Sequence, residues 1–231
     1  MKKNKKGCDL KSCFFCTRCL SEWKPAIEIN RTTIDVKKGE RLFTEGEPVQ
    51  SIYFVCEGKV KVHKKWGNEK ELIIRIANKS AIVGHRGLGS SNIYPVSATA
   101  MEASTICCID LDFFKTTLKV NHDFTYDLMM FFADELQESE RKMRNLAHMS
   151  VKGRIAQSLI SLKEKFGITR EGHIDIALSK QDLASYAGAS YETVFRIINE
   201  LAEDQVIAVA GRNYTITNPE KLLRYTSQQE E

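Results

Sequence analysis

The chain has 231 residues, 42% of them hydrophobic and 28% charged, with four prolines and a formal net charge of +4. That length suits between one and two domains, and that composition excludes collagen-like, low-complexity and largely disordered classes. No apolar run approaches the roughly 18 residues that a membrane span needs, and CDLKSCFFCTRC stands where an export signal would need its apolar stretch.

The expectation is therefore a cytoplasmic protein with no membrane partner. Its small positive charge permits nucleic acid as a partner without demanding it.

Cys8, Cys13, Cys16 and Cys19 crowd the first 19 residues, and Cys56, Cys107 and Cys108 make up the seven. An odd, clustered set in a chain without an export signal points to a reducing compartment, where such thiols bind metal or sense redox state. Cys13, Cys16 and Cys19 form CxxCxxC, a spacing shared with iron–sulfur proteins, because two intervening residues let neighbouring thiolates reach different irons. Cys8 offers an all-local fourth ligand. Zinc is a second reading, although the paired knuckles of common structural sites are missing; a set of ligand-free thiols is the third. Residues 1–25 are set apart as a cysteine-rich segment.

Residues 26–120 read as a β-roll. TTIDV, RLF, SIYFVC, KVKVHKK, KELIIRIA, VSATAM and STICCIDL are short apolar or alternating runs, punctuated by Gly39, Gly46, Gly58, Gly67, Gly84 and Gly87. Alternation in KVKVHKKW marks a half-solvated antiparallel strand, and strands at this spacing bury one face each against an opposite sheet.

Residues 121–148 change period. With Asn121 as the expected N-cap, the run to His148 lacks Gly and Pro and is rich in helix formers. Leu128, Phe132, Leu136, Ser139, Met143, Leu146 and Ser150 step by three or four, a heptad-like seam. Two partners suit it. The early aromatic turns around Phe131 and Phe132 can pack on the roll of the same chain, and the later turns, where QESERKMR leaves a narrow stripe, suit a second copy in a parallel homodimer.

Residues 149–231 mix helices with a hairpin. In KQDLASYAGASYETVFRIIN, Leu183, Ala187, Val194 and Ile197 can face inward while Ala184 and Gly188 let two helices cross closely, a helix-turn-helix spacing. Ser179 and Ser190 can cap the two helices and leave amides free for phosphate. VIAVAGRNYTIT places Arg212 at the tip of a following hairpin, a winged arrangement. Tyr191, Glu192, Phe195 and Arg196 lie on the exposed start of the second helix. There Arg196 can read guanine and Glu192 can accept from cytosine. The fold class expected is α+β: an N-terminal antiparallel β-roll of jelly-roll type, a long dimerisation helix and a C-terminal winged helix-turn-helix.

GERLFTEGE, SIYFVCEGKVKV and SKQDLASYAGASYETVFRIINEL together resemble the Crp/Fnr transcription regulators from about residue 25 onward. The resemblance implies a homodimer on a two-fold DNA operator, with RNA polymerase as a further partner and an effector signal to the roll repositioning the reading helices. Glu192 and Arg196 match the family's base-reading pair, while Ser179, Lys180, Gln181, Ser190 and Thr193 match positions at phosphate or the groove edge. Tyr191 and Phe195 depart from the family's polar or small residues. The family's pocket maps onto His85, Arg86, Ser97 and Thr99. Cyclic AMP is disfavoured, because His85 replaces the acidic ribose ligand and Val96 the phosphate-gripping arginine, a loss of a charge-assisted bidentate contact. His85 is alternatively a haem ligand or a satisfied pocket residue. Oxygen-sensing members imply Cys107 as the fourth cluster ligand beside Cys13, Cys16 and Cys19.

An enzyme is not expected: no nucleophile elbow, phosphate loop or HExxH is present, and His63, His85, His122, His148 and His173 are dispersed. A redox or metal module without a DNA role would leave the winged helix without a purpose.

Overall fold

A computed structural model describes residues 2–4, 13–67 and 70–227; Cys8, the alternative ligand, lies outside them. The chain divides into two compact units, residues 1–69 with 74–136 and residues 70–73 with 137–231. No helix among the described residues is long and apolar enough to cross a membrane.

The first unit is the roll. Its strands are β1 (Lys2–Asn4), β2 (Arg31–Val36), β3 (Arg41–Phe43), β4 (Ser51–Glu57), β5 (Val60–Trp66), β6 (Lys70–Ala77), of which residues 70–73 fall in the second unit, β7 (Ile82–Val83), β8 (Ser97–Ala100) and β9 (Ser104–Asp110). They form two sheets, ordered β1-β2-β9-β4-β7 and β3-β8-β5-β6. The alternation read in the sequence becomes register. Phe54 pairs with Cys107 and Ile52 with Ile109, so these four share one face of the first sheet. Gly58 is required by its surroundings: at φ +90° a Cβ there would lie 2.2 Å from Ser104 Oγ and 2.9 Å from the Ala103 carbonyl oxygen.

Helices close the roll: α1 (Phe14–Arg18), α2 (Lys24–Asn30), α3 (Leu111–Val120) and α4 (His122–His148). Asp110 caps α3, accepting from the amides of Asp112 and Phe113, a signal present in the sequence but not used there. The boundary drawn at residue 25 is not a structural one. Phe15 is fully buried and stacks on Phe54 and Phe114 with centroids 5.0 and 5.8 Å away, while Phe124 meets it edge-on at 5.2 Å. The cysteine segment thus contributes to the roll's own core, with Phe15 packed among Phe54 of β4, Phe114 of α3 and Phe124 of α4.

Asn121 also differs from expectation. It ends α3, and its buried Oδ1 accepts from the Leu20 amide at 2.8 Å while its Nδ2 donates to the Thr117 carbonyl. The side chain therefore fastens the N-terminal segment instead of capping α4.

Leu128 is a correction to the seam: with Phe124 it is buried in the roll core. Leu136 and Met143, by contrast, are 60% and 63% exposed. The compact units divide within α4, after Leu136.

The second unit holds α5 (Val151–Phe166), α6 (Lys180–Ala187), α7 (Tyr191–Glu203), the β10 (Ile207–Ala210) and β11 (Asn213–Ile216) hairpin and α8 (Pro219–Ser227). Its core includes Leu159, Leu183, Val194, Ile197, Leu201, Tyr214 and Leu222. Ser150, Ser179 and Ser190 each accept a hydrogen bond from the amide three residues on, so each helix start is stabilised within its own sequence.

Candidate nucleic-acid interface and sensor site

The turn between α6 and α7 is built by local rules. Gly188 adopts φ +65°, and a Cβ there would come within 2.4 Å of Leu146 Cδ2. Leu146, assigned to the dimer seam, therefore packs at least in part against this turn. Arg154, which sequence reasoning missed, clamps the same turn: it donates from Nε to the Ala187 carbonyl at 3.1 Å and from Nη2 to the Gly188 carbonyl at 3.2 Å. A lone arginine on α5 carries no sequence signal for that role.

Ser179 Oγ accepts from the Asp182 amide at 3.0 Å and donates to its carboxylate at 2.6 Å. Ser190 Oγ accepts from the Thr193 amide at 3.3 Å. Each cap uses one first-turn amide and leaves the rest to solvent or to an anion.

On α7, Tyr191, Glu192, Phe195 and Arg196 are all exposed. The Tyr191 and Phe195 rings lie 6.2 Å apart, and Lys180 Nζ sits 4.5 Å over the Phe195 ring. Arg196 is 71% exposed, and its Nη1 lies 3.9 Å from Glu200 Oε2. Gln181 and Arg212 are exposed and Thr193 half-buried. The Arg212 carbonyl accepts from the Leu178 amide at 2.9 Å, which ties the hairpin tip to the residue before the cap of α6. The second unit thus brings all nine of the sequence-assigned residues to the α6–turn–α7 motif and its adjoining hairpin.

The residues assigned to an effector pocket divide. Ser97 Oγ accepts from the Glu45 amide at 3.0 Å, and Thr99 Oγ1 is 2.8 Å from His63 Nε2, so both hydroxyls already serve structural bonds. His85 and Arg86 belong instead to a buried charged cluster with Arg75 and Glu135, two residues missed at the sequence level. Arg86 Nη2 donates to Glu135 Oε2 at 2.9 Å, and Arg75 Nη1 lies 3.3 Å from Glu135 Oε1. His85 is buried edge-on to Phe131 and Phe132, its Nε2 3.9 Å from Glu135. Burial, with Arg75 and Arg86 nearby, holds its pKa well below the usual 6.5 and keeps the imidazole neutral.

Cys13, Cys16, Cys19 and Cys107 are all buried in the roll core. Burial, then the neighbouring Cys13, pushes the Cys19 thiol up to about 12, while burial raises Cys108 similarly, to about 12. Among the described residues, no group of three or more His, Cys, Asp or Glu side chains is gathered as a metal site.

Comparison with known proteins agrees with this division. Residues 33–121 match the cyclic nucleotide-binding domain and residues 153–225 the Crp-like helix-turn-helix domain. The chain is 25% identical over 193 residues to a CRP-like cAMP-activated global transcriptional regulator of Mycobacterium tuberculosis, covering 83% of this chain and 86% of that one. It is 28% identical over 201 residues to an anaerobic regulatory protein of Bacillus subtilis, covering 86% and 84%. The structure of FixK2 from Bradyrhizobium japonicum superposes with a TM-score of 0.75 at 21% identity, over 84% of this chain and 96% of that one, and shares the fold.

Proposed function

From the premise that the chain belongs to the Crp/Fnr family of transcription regulators, we propose that it acts as a homodimer on a two-fold operator and reads each half-site with the outward face of α7. The observation that carries this reading is the grouping of Glu192 and Arg196 on the exposed first turns of α7, flanked by the Ser190 cap and the Arg212 hairpin. The exposed Leu136 and Met143 supply the dimer seam, and RNA polymerase is the further partner. The test is selection of an operator from random duplexes, then sedimentation and titration. A two-fold site with half-sites about one helical turn, roughly 34 Å, apart is expected. Replacing Leu136 and Met143 together with Glu should give a weakly binding monomer, since charges would face each other across a desolvated seam. A wild-type monomer at micromolar concentration would overturn the dimer.

Control enters through the roll. Cyclic AMP is not the effector proposed, although a relative is named for it, because buried Val96 stands where the phosphate arginine belongs. A second input is assigned to an iron–sulfur cluster on Cys13, Cys16, Cys19 and Cys107, supported by their shared burial and by the anaerobic relative. As they stand, the described side chains do not gather three ligands, so binding has to draw them together and ionise Cys19. Anaerobic reconstitution with iron and sulfide tests this. A visible chromophore lost in each of the four Cys→Ser variants, but kept in Cys56→Ser, is expected, and colourless protein overturns it.

A further inference from the structure

Among the described residues, buried nitrogens without a hydrogen-bond partner gather in the roll, whereas the second unit leaves two hydroxyls, those of Thr169 and Tyr214. Five nitrogens of one largely buried cluster make no hydrogen bond among the described residues: Arg75 Nε and Nη1, the latter held only as an ion pair 3.3 Å from Glu135, His85 Nδ1 and Nε2, and Arg86 Nε. Arg75 is 8% exposed and His85 2%. The charges do not balance either. Among the described residues Glu135 is the carboxylate that meets both guanidiniums, so there two cations share one anion. A buried donor left without a partner destabilises the fold, and an uncompensated buried charge does so more strongly; the neutral His85 ring contributes one such donor and one acceptor. Water would supply hydrogen bonds to the donors, but it would leave the excess positive charge in place.

A guanidinium fork matches the oxygens of a carboxylate or a phosphate. We propose that Arg75, Arg86 and His85 form the recognition site for a small oxyanion, a carboxylate or phosphate group, which competes with Glu135 for the two guanidiniums. Arg86 and Glu135 keep 25% and 20% of their side-chain exposure, which leaves the site a solvent-facing side. Because Glu135 lies on α4 and the arginines lie on the roll side of the contact, occupation loosens the hold of the helix on β6 and on the His85 turn. This deepens the proposed input at the roll and rests on it. The site differs from a cyclic-nucleotide phosphate grip in its residues, since it uses neither position 96 nor Ser97, whose hydroxyl is already bonded.

The test uses the full chain. Melting temperature and operator affinity are measured in sodium phosphate and in sodium succinate, each against sodium chloride at matched ionic strength and pH. At least one oxyanion should raise the melting temperature saturably. Response to phosphate alone identifies a phosphoryl ligand, to succinate alone a carboxylate, and to both their shared chemistry. Arg86→Gln, at a partly exposed position where the fold is preserved, should abolish the response, and Glu135→Gln, which removes the internal competitor, should tighten binding several-fold. The proposal is overturned if neither wild type nor Glu135→Gln responds beyond chloride, or if Arg86→Gln responds like wild type. An oxyanion that binds without changing operator affinity keeps the site and sinks the roll as the input; failure to select any operator sinks the DNA reading instead.

Discussion

The two units solve the same problem, placing polar groups on a folded chain, in opposite ways. In the second unit the starts of α5, α6 and α7 are each capped by a serine bonding three residues away, and the charged and aromatic side chains of α7 are left outside. In the roll, Arg75, His85 and Arg86 are drawn inside against Glu135, a contact that spans 60 residues from position 75 to 135. A surface built from local bonds is ready to meet a partner as a rigid face. An interior with unmet donors is poised to change when something supplies their partner.

The sharpest way to break this comparison is to remove the aromatic that ties the cysteine segment into the roll. Phe15→Ala should destabilise the roll by about 3 to 5 kcal/mol, the range for a fully buried phenylalanine, while leaving the second unit's melting intact. Chemical denaturation followed at the single tryptophan of α1–α2, Trp23, whose indole donates to Thr117, would show it. A change under 1 kcal/mol on the same scale would mean that the segment is an appendage.

A smaller effect is expected on the outer face of α7. Arg196→Ala should cost about 1 to 3 kcal/mol of operator affinity and relax preference at one guanine per half-site, whereas Lys180→Ala and Arg212→Ala should weaken specific and nonspecific DNA alike and flatten the salt dependence. Equal loss on every single-base variant of the operator would make Arg196 a backbone contact.

The neutral, buried His85 predicts a pH effect confined to the roll. Its native pKa lies well below the usual 6.5, so below that value the unfolded chain takes up a proton that the native state refuses. Stability present at pH 7 and above should fall as the pH drops, by up to about 1.4 kcal/mol per unit, until the native pKa is reached. Denaturant midpoints at pH 7.5 and 5.5 should differ less in His85→Gln than in wild type, and identical differences would exclude His85 as the source.

The smallest effect sharpens the other side. Ser190→Ala removes one cap bond and should cost about 1 kcal/mol, with the loss confined to the second unit and no change in the pH response of the roll.

The pattern of legibility follows the same divide. The helix-turn-helix could be read because its determinants lie close together in the chain: Leu183 and Val194 spaced for one core, Gly188 where a left-handed turn is needed, and serines before each helix. The strands were legible from alternation, as in KVKVHKK, which becomes β5. Helices α1, α2 and α3 were not read, since each is ten residues or shorter and too brief for a periodic stripe to show. The heptad-like stripe of α4 was legible, but a stripe does not say who covers it. Leu128 went to the chain's own roll, while Leu136 and Met143 stayed exposed.

What the sequence determined by itself is therefore whatever depends on near neighbours: the strand faces, the long helix, the caps, the turn and the family these add up to. Only the tertiary structure decided that Phe15 belongs to the roll, that Asn121 fastens Leu20 instead of capping a helix, and that Ser97 and Thr99 are bonded within the sheets while Arg75 and Glu135 join His85 and Arg86. The reason is physical. Periodicity and capping act over three or four residues and leave a trace in the order of the chain. Burial of a charge is priced by whatever the fold brings beside it, and residues 60 positions apart carry no mark of one another until the roll closes on α4.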